Sequence, residues 1–99
     1  MKNIRLVKFD FKPGGKEVWL DWSHELVRRT EEVQATLEQE GVIVEATFLS
    51  EDENSVYYVV ADEGKGVSGN YPIDIEHREK RALSFGTRYE LRSLFSFFR

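Results

Sequence analysis

The apolar residues of this chain recur at two different spacings, and the changes between them mark out its elements. From Ile4 to Phe11, Val7, Phe9 and Phe11 alternate with Lys8 and Asp10. Ile4 and Leu6 fall on the opposite face, and the whole stretch predicts a strand. Pro13-Gly14-Gly15 stops it. From Lys16 to Glu40 the spacing becomes helical. Trp19, Trp22, Leu26, Val33 and Leu37 fall within about a 60° arc at 100° per residue, as expected of a helix packed along one side. Asp21, His24, Arg28, Glu31 and Glu38 occupy the other side, and Gly41 suits a left-handed stop. Such a helix is roughly 37 Å long, against roughly 26 Å for an eight-residue strand. No glycine or proline lies inside it to explain a kink, so one straight helix overhanging the sheet is expected.

Val42 to Leu49 and Ser55 to Ala61 alternate again, joined by the polar turn Ser50-Glu51-Asp52-Glu53-Asn54. So short a connection allows only an antiparallel hairpin. Asp62 to Asn70 is a glycine-rich loop. Pro72 opens a second helix that runs to about Ser84, with Asp74 and Glu76 in its first turn and Lys80 and Arg81 in its last. Its apolar face is thin, formed by Ile75, Ala82 and Phe85. Arg88 to Phe98 is read as the fourth strand.

The resulting order, β-α-β-β-α-β, is the ferredoxin-like α+β plan. It predicts one domain over residues 1–99, with a four-stranded antiparallel sheet in the order 4-1-3-2 and both helices on one face. The other face has no helix to cover it. If the richer strand faces meet the helices, the uncovered face carries Ile4, Leu6, Ile43, Leu49, Tyr57, Val59, Ala61, Leu94 and Phe98. That is more apolar surface than a solvent-facing sheet normally shows. The expectation is a homodimer paired through this open sheet face.

Lys12-Pro13-Gly14 before a tryptophan-bearing helix, Gly41-Val42 before a hairpin, Tyr71-Pro72-Ile73-Asp74 and Glu76-His77-Arg78 together resemble a family of small uncharacterised bacterial proteins. That family is similar in plan to the dimeric α/β-barrel proteins, which pair two ferredoxin-like sheets face to face. The resemblance implies a fold and dimerisation but no agreed activity. Some dimeric α/β-barrel proteins are cofactor-free monooxygenases, haem-degrading enzymes or isomerases, with pockets between sheet and helices. The resemblance supplies no complete catalytic set for this chain.

Composition narrows the chemistry. The chain has 99 residues, 40% of them hydrophobic and 32% charged, so a folded core is expected rather than disorder. The absence of cysteine excludes disulfides and thiol chemistry. No apolar run is long enough to cross a membrane, and the N-terminus has no secretory h-region, so a cytoplasmic protein is expected. A net charge of −4 argues against nucleic acid, although Phe9, Tyr57 and Tyr58 superficially suit an RNA-stacking sheet.

The two histidines differ in setting. His24 falls on the polar face of the first helix and is expected at the surface. His77 lies one turn from Ile73 and can border a cavity as a base or haem ligand. The two share no face with a carboxylate at ligand spacing, so neither a metal nor a resident cofactor is expected. Pro13-Gly14-Gly15-Lys16 lacks the spacing of a phosphate loop and reads as a turn. Glu51-Asp52-Glu53 reads as a solvated hairpin tip. Trp19 and Trp22 are expected in the core, and Tyr58 points toward the helices with a hydroxyl that needs a partner. Trp19, Trp22, Tyr58 and His77 are therefore the candidate pocket residues, for a small apolar or aromatic molecule between sheet and helices. The leading expectation is a homodimer of dimeric α/β-barrel type without established catalysis; the alternatives are a small cofactor-independent or haem-related enzyme of monooxygenase or isomerase type, its catalytic residues left open, and a small-ligand sensor.

Overall fold

The computed structural model describes residues 2–99, and Met1 lies outside them. The strands are β1 (Asn3–Phe11), β2 (Val42–Leu49), β3 (Ser55–Asp62) and β4 (Phe85–Leu91). The helices are α1 (Gly15–Arg28), α2 (Thr30–Glu40) and α3 (Pro72–Ser84). The strands form one antiparallel sheet in the order β2-β3-β1-β4, which is the expected 4-1-3-2 order read from the other edge. The chain has the α+β architecture of a ferredoxin-like fold.

Register decides which side chains meet the helices. Phe9 pairs with Val56 and Val7 with Tyr58, and these residues turn toward Trp19 and Trp22 of α1 and Ile73 of α3. Leu26 of α1 and Val33 of α2 pack against the same cluster, so all three helices lie on one face of the sheet. Phe9 and Tyr58 are consequently core residues, at 7% and 8% exposure. Tyr57, their neighbour in the RNA-stacking pattern, faces the other way across from Lys8.

Four features depart from the sequence reading. The expected single helix is two, broken at Arg29 (φ −102°, ψ 36°) without glycine or proline. The Arg29 guanidinium bonds Glu32 and reaches across to Glu76 of α3, and it lies 5.8 Å from the Trp22 ring. That cross-link sits at the break, where the chain leaves α1 packed on α3 and turns α2 over β2. A bulge between Val42 and Val44 reverses the facing of most of β2. Val44, Ala46 and Phe48 therefore share the open face with Val59 and Tyr57, while Glu45 and Thr47 turn to the helices. Ile43 and Leu49, expected on the open face, are respectively in the bulge and paired with Val56 of the helix side.

The third departure is in α3, where the inward stripe is Ile73, His77, Arg81 and Ser84; Ile75 is exposed and Ile73 is at 3%. The fourth is β4, which starts directly at Phe85 and ends at Leu91, so Leu94, Phe95, Phe97 and Phe98 belong to no strand. Phe85 adopts extended geometry at the helix end and stacks on Phe9 at 4.5 Å. This aromatic anchor draws the chain straight from helix into sheet.

Gly15 shows why the Pro13-Gly14-Gly15 turn is structural. A side chain there would collide with the Ser84 carbonyl. The Gly15 amide already donates to the Lys12 carbonyl, and the Lys12 ammonium bonds the Ala82 carbonyl at 2.6 Å, near the end of α3.

Candidate functional site

The inward stripe of α3 places a polar chain inside the sheet–helix layer. The Trp22 indole N–H donates to His77 Nδ1 at 2.8 Å. Tyr58 Oη lies 2.6 Å from His77 Nε2, and its hydroxyl donates to Glu45 Oε2 at 2.6 Å. Chemistry fixes the protons. An indole nitrogen only donates, so Nδ1 must present its lone pair. The imidazole is then neutral with its proton on Nε2, and it donates to Tyr58, whose own proton goes to the carboxylate. Every donor in the series Trp22, His77, Tyr58, Glu45 has one acceptor. The series rises from core to surface, from Trp22 at 3% exposure to a Glu45 side chain at 30%.

Each member is placed by a different element. Trp22 comes from the apolar stripe of α1. Tyr58 is a helix-facing residue of β3. Glu45 reaches this side only because of the bulge in β2. His77 sits one helical turn beyond the buried Ile73. Ring packing holds the imidazole, with Trp19 at 5.5 Å and Tyr58 at 6.1 Å between centroids.

Burial pushes the Tyr58 hydroxyl well above its ordinary range, and the Glu45 carboxylate adds to the effect. Burial also lowers the affinity of His77 for a second proton below the usual 6.5. The nearby Glu45 and Asp74 charges oppose that change, and Arg81 and Arg78 reinforce it. The unfolded chain therefore binds more protons just below pH 6.5 than the folded chain does. The stabilising contribution is complete above that pH and is lost as the pH falls through the folded value. The expected result is a urea midpoint that drops on going from about pH 7 to about pH 5.5, with a shallower drop in His77→Gln. Glu40, whose proton affinity burial raises, acts in the opposite sense in both proteins, so the difference between them isolates His77. Parallel profiles would show that His77 does not govern this window.

The chain borders a cavity of about 270 Å³ between sheet and helices. Glu45, Tyr58 and His77 line it, with Val7, Leu26, Val33 and Val60 supplying apolar wall and Arg78 and Arg81 supplying cations. A second polar cluster lies on the same wall. The Thr36 hydroxyl contacts both Asp74 oxygens at 2.7 Å and Glu40 Oε1 at 3.0 Å. Asp74 in turn accepts the Tyr71 amide at the start of α3.

Of the residues singled out from sequence, His77 and Tyr58 come together at the cavity. Trp22 reaches it only through its bond to His77. Trp19, at 2%, is core, and its indole N–H has no partner among the described residues. His24 is exposed on α1. Glu45 was not singled out, although it is the single charged residue in the Val42–Leu49 strand, and that was the available signal. Among the described residues, no three His, Asp or Glu side chains are grouped to hold a metal ion, and no helix is long and apolar enough to cross a membrane.

None of the curated proteins is a significant sequence match to this chain. Residues 2–92 match the model of a family of unknown function, DUF6176, and the chain belongs to that family.

Proposed function

We propose that this protein binds a small molecule in the cavity between sheet and helices and exchanges a proton with it through Glu45. The observation carrying this reading is the Trp22–His77–Tyr58–Glu45 chain, which ends at the cavity wall on a carboxylate with one oxygen uncommitted. Oε2 accepts the Tyr58 hydroxyl, while Oε1 has no partner among the described residues. A carboxylate so oriented can take a proton from a bound molecule onto Oε1, with Tyr58 steadying the negative charge before transfer. Both nitrogens of His77 are committed, one to Trp22 and one to Tyr58, which disfavours a haem-ligand role. The cavity volume lies just under the roughly 300 Å³ at which small-molecule pockets begin, and so suits a compact metabolite. We place the protein among cofactor-independent enzymes of isomerase type, acting in the cytoplasm.

Thermal denaturation against a library of compact polar–apolar metabolites tests the reading. A true ligand at one hundred times its Kd adds about 2.7 kcal/mol, which is on the order of 10 °C for a chain this size. Glu45→Gln is expected to keep the unliganded midpoint within a few degrees, Tyr58→Phe to lower it further because the His77 N–H loses its acceptor, and both to weaken the ligand-induced shift. A library without any concentration-dependent shift would count against a ligand site, as would shifts that both variants preserve.

A second reading concerns assembly, and a specific observation favours it. The sheet face away from the helices presents Ile4, Leu6, Val44, Ala46, Phe48, Val59 and Leu91, with Phe48 at 58% exposure. We propose that a second copy covers this face, as in the dimeric α/β-barrel proteins. Two sheets would then stack about 10 Å apart, and a stable pair needs about 800 Å² buried per partner.

A further inference from the structure

We infer that Arg81 is the anchor for a carboxylate group on the molecule bound in this cavity, and that this molecule is a small monocarboxylate with an apolar body. The inference rests on the cavity being a ligand site, and it goes further by naming the ligand's class. Arg81 lies on the inward stripe of α3, one turn beyond His77. Its guanidinium carbon sits 5.6 Å from the Phe9 ring and 5.5 Å from the Tyr58 ring, so two aromatic faces hold the fork in place. Neither ring offers a conventional acceptor to its five N–H donors. Among the described residues Arg81 makes no hydrogen bond and no ion pair.

The neighbouring arginines differ. Arg29 bonds Glu32 and Glu76, Arg88 pairs with Glu90, Arg5 lies 3.8 Å from Asp62, and Arg78 donates to the Gly69 carbonyl. All but Arg29 line the cavity. Arg81 is thus a half-buried, oriented cation with its hydrogen-bonding capacity unspent. A planar carboxylate matches that fork with two parallel bonds.

The rest of the lining sets the ligand's remaining features. Glu40, Glu45 and Asp74 border the same cavity, and three of its four arginines already have partners, so a multiply charged anion such as a phosphate would find one open fork beside three carboxylates. A single negative charge directed at Arg81 avoids them. Val7, Leu26, Val33 and Val60 suit an apolar body, and Glu45 faces it with an open acceptor. The carboxylate would thereby fix the orientation of the carbon atoms presented to Glu45.

Titration of the full-length chain with benzoate and pentanoate, followed by backbone and arginine side-chain NMR, tests this, with benzamide, pentanamide and inorganic phosphate as comparisons. Saturable shifts are expected at Arg81, Tyr58 and His77 with the carboxylates, on the order of tenfold tighter than with the amides or phosphate. Arg81→Gln should weaken carboxylate binding about tenfold or more, Arg81→Lys by less, and Arg28→Gln, on the exposed side of α1, not at all. Unliganded melting curves of the variants report whether each is folded. Amides that bind as tightly as the acids, with shifts still lost in Tyr58→Phe, would overturn the Arg81 assignment and leave the cavity reading standing. Tightest binding by phosphate would overturn the monocarboxylate assignment. No saturable shift with any probe would overturn the monocarboxylate assignment, whereas the broader metabolite library separately tests the cavity.

Discussion

Trp22→Ala should remove roughly 3–5 kcal/mol of stability. Trp22 is 3% exposed, and three separate effects act together when it is truncated. A large apolar surface is lost and a cavity is left between α1 and the sheet. His77 Nδ1 loses its donor and remains a buried, unpaired acceptor. Arg29 loses the ring beneath its guanidinium at the break between α1 and α2. Trp22→Phe separates these effects, because it keeps most of the packing and removes the N–H. Its expected cost is about 1–3 kcal/mol. His24→Ala, on the exposed face of the same helix, should change stability by less than about 0.5 kcal/mol. Urea denaturation gives all three values. Equal costs for Trp22→Ala and His24→Ala would mean that the helix does not present the face described.

Phe48→Glu should convert the proposed dimer into a monomer while leaving the protomer folded. The native protein is expected to sediment at about 23 kDa, twice the 11.6 kDa chain, at micromolar concentration. Phe48 is 58% exposed on the isolated chain, so a carboxylate there meets solvent and carries little cost to folding. In a face-to-face pair it would be buried without a partner, weakening association on the order of a hundredfold or more. Val59→Glu, nearer the middle of the same face, should have the same effect with a larger folding cost. Sedimentation equilibrium together with circular dichroism distinguishes dissociation from unfolding. A native protein at 11.6 kDa at high concentration would remove the dimer, whatever the variants do.

Much of the fold was legible because it depends on local periodicity. The alternation in β1 and β3 and the spacing of Trp19, Trp22, Leu26 and Val33 each have one satisfactory solution once a single face must be buried. Pro72 marked the start of α3, and Gly41 adopts the left-handed conformation expected of it, with φ 71°. The short hairpin connection and the right-handed crossovers of the β-α-β-β-α-β plan then gave the strand order. Tyr58 was legible as a polar group on a helix-facing strand position, and His77 only as a residue one turn from Ile73 that could border a cavity.

What the sequence could not place are the features set by contacts between distant segments. Nothing local to Val42–Leu49 announces that residue 43 is bulged. That one-residue slip carries Glu45 to the cavity and Phe48 to the open face. Apolar content suggested Ile75 for the buried face of α3, yet packing of Ile73 against the sheet turns His77 and Arg81 inward instead. The break at Arg29 carries no breaker residue; the Glu76 partner that marks it lies 47 positions away. The sequence by itself determined the order of strand and helix regions, apart from the break at Arg29 and the bounds of the last strand, because backbone periodicity and turn chemistry are local. Only the tertiary structure decided which polar side chains meet at the cavity, because that depends on the register and rotation of elements packed against one another.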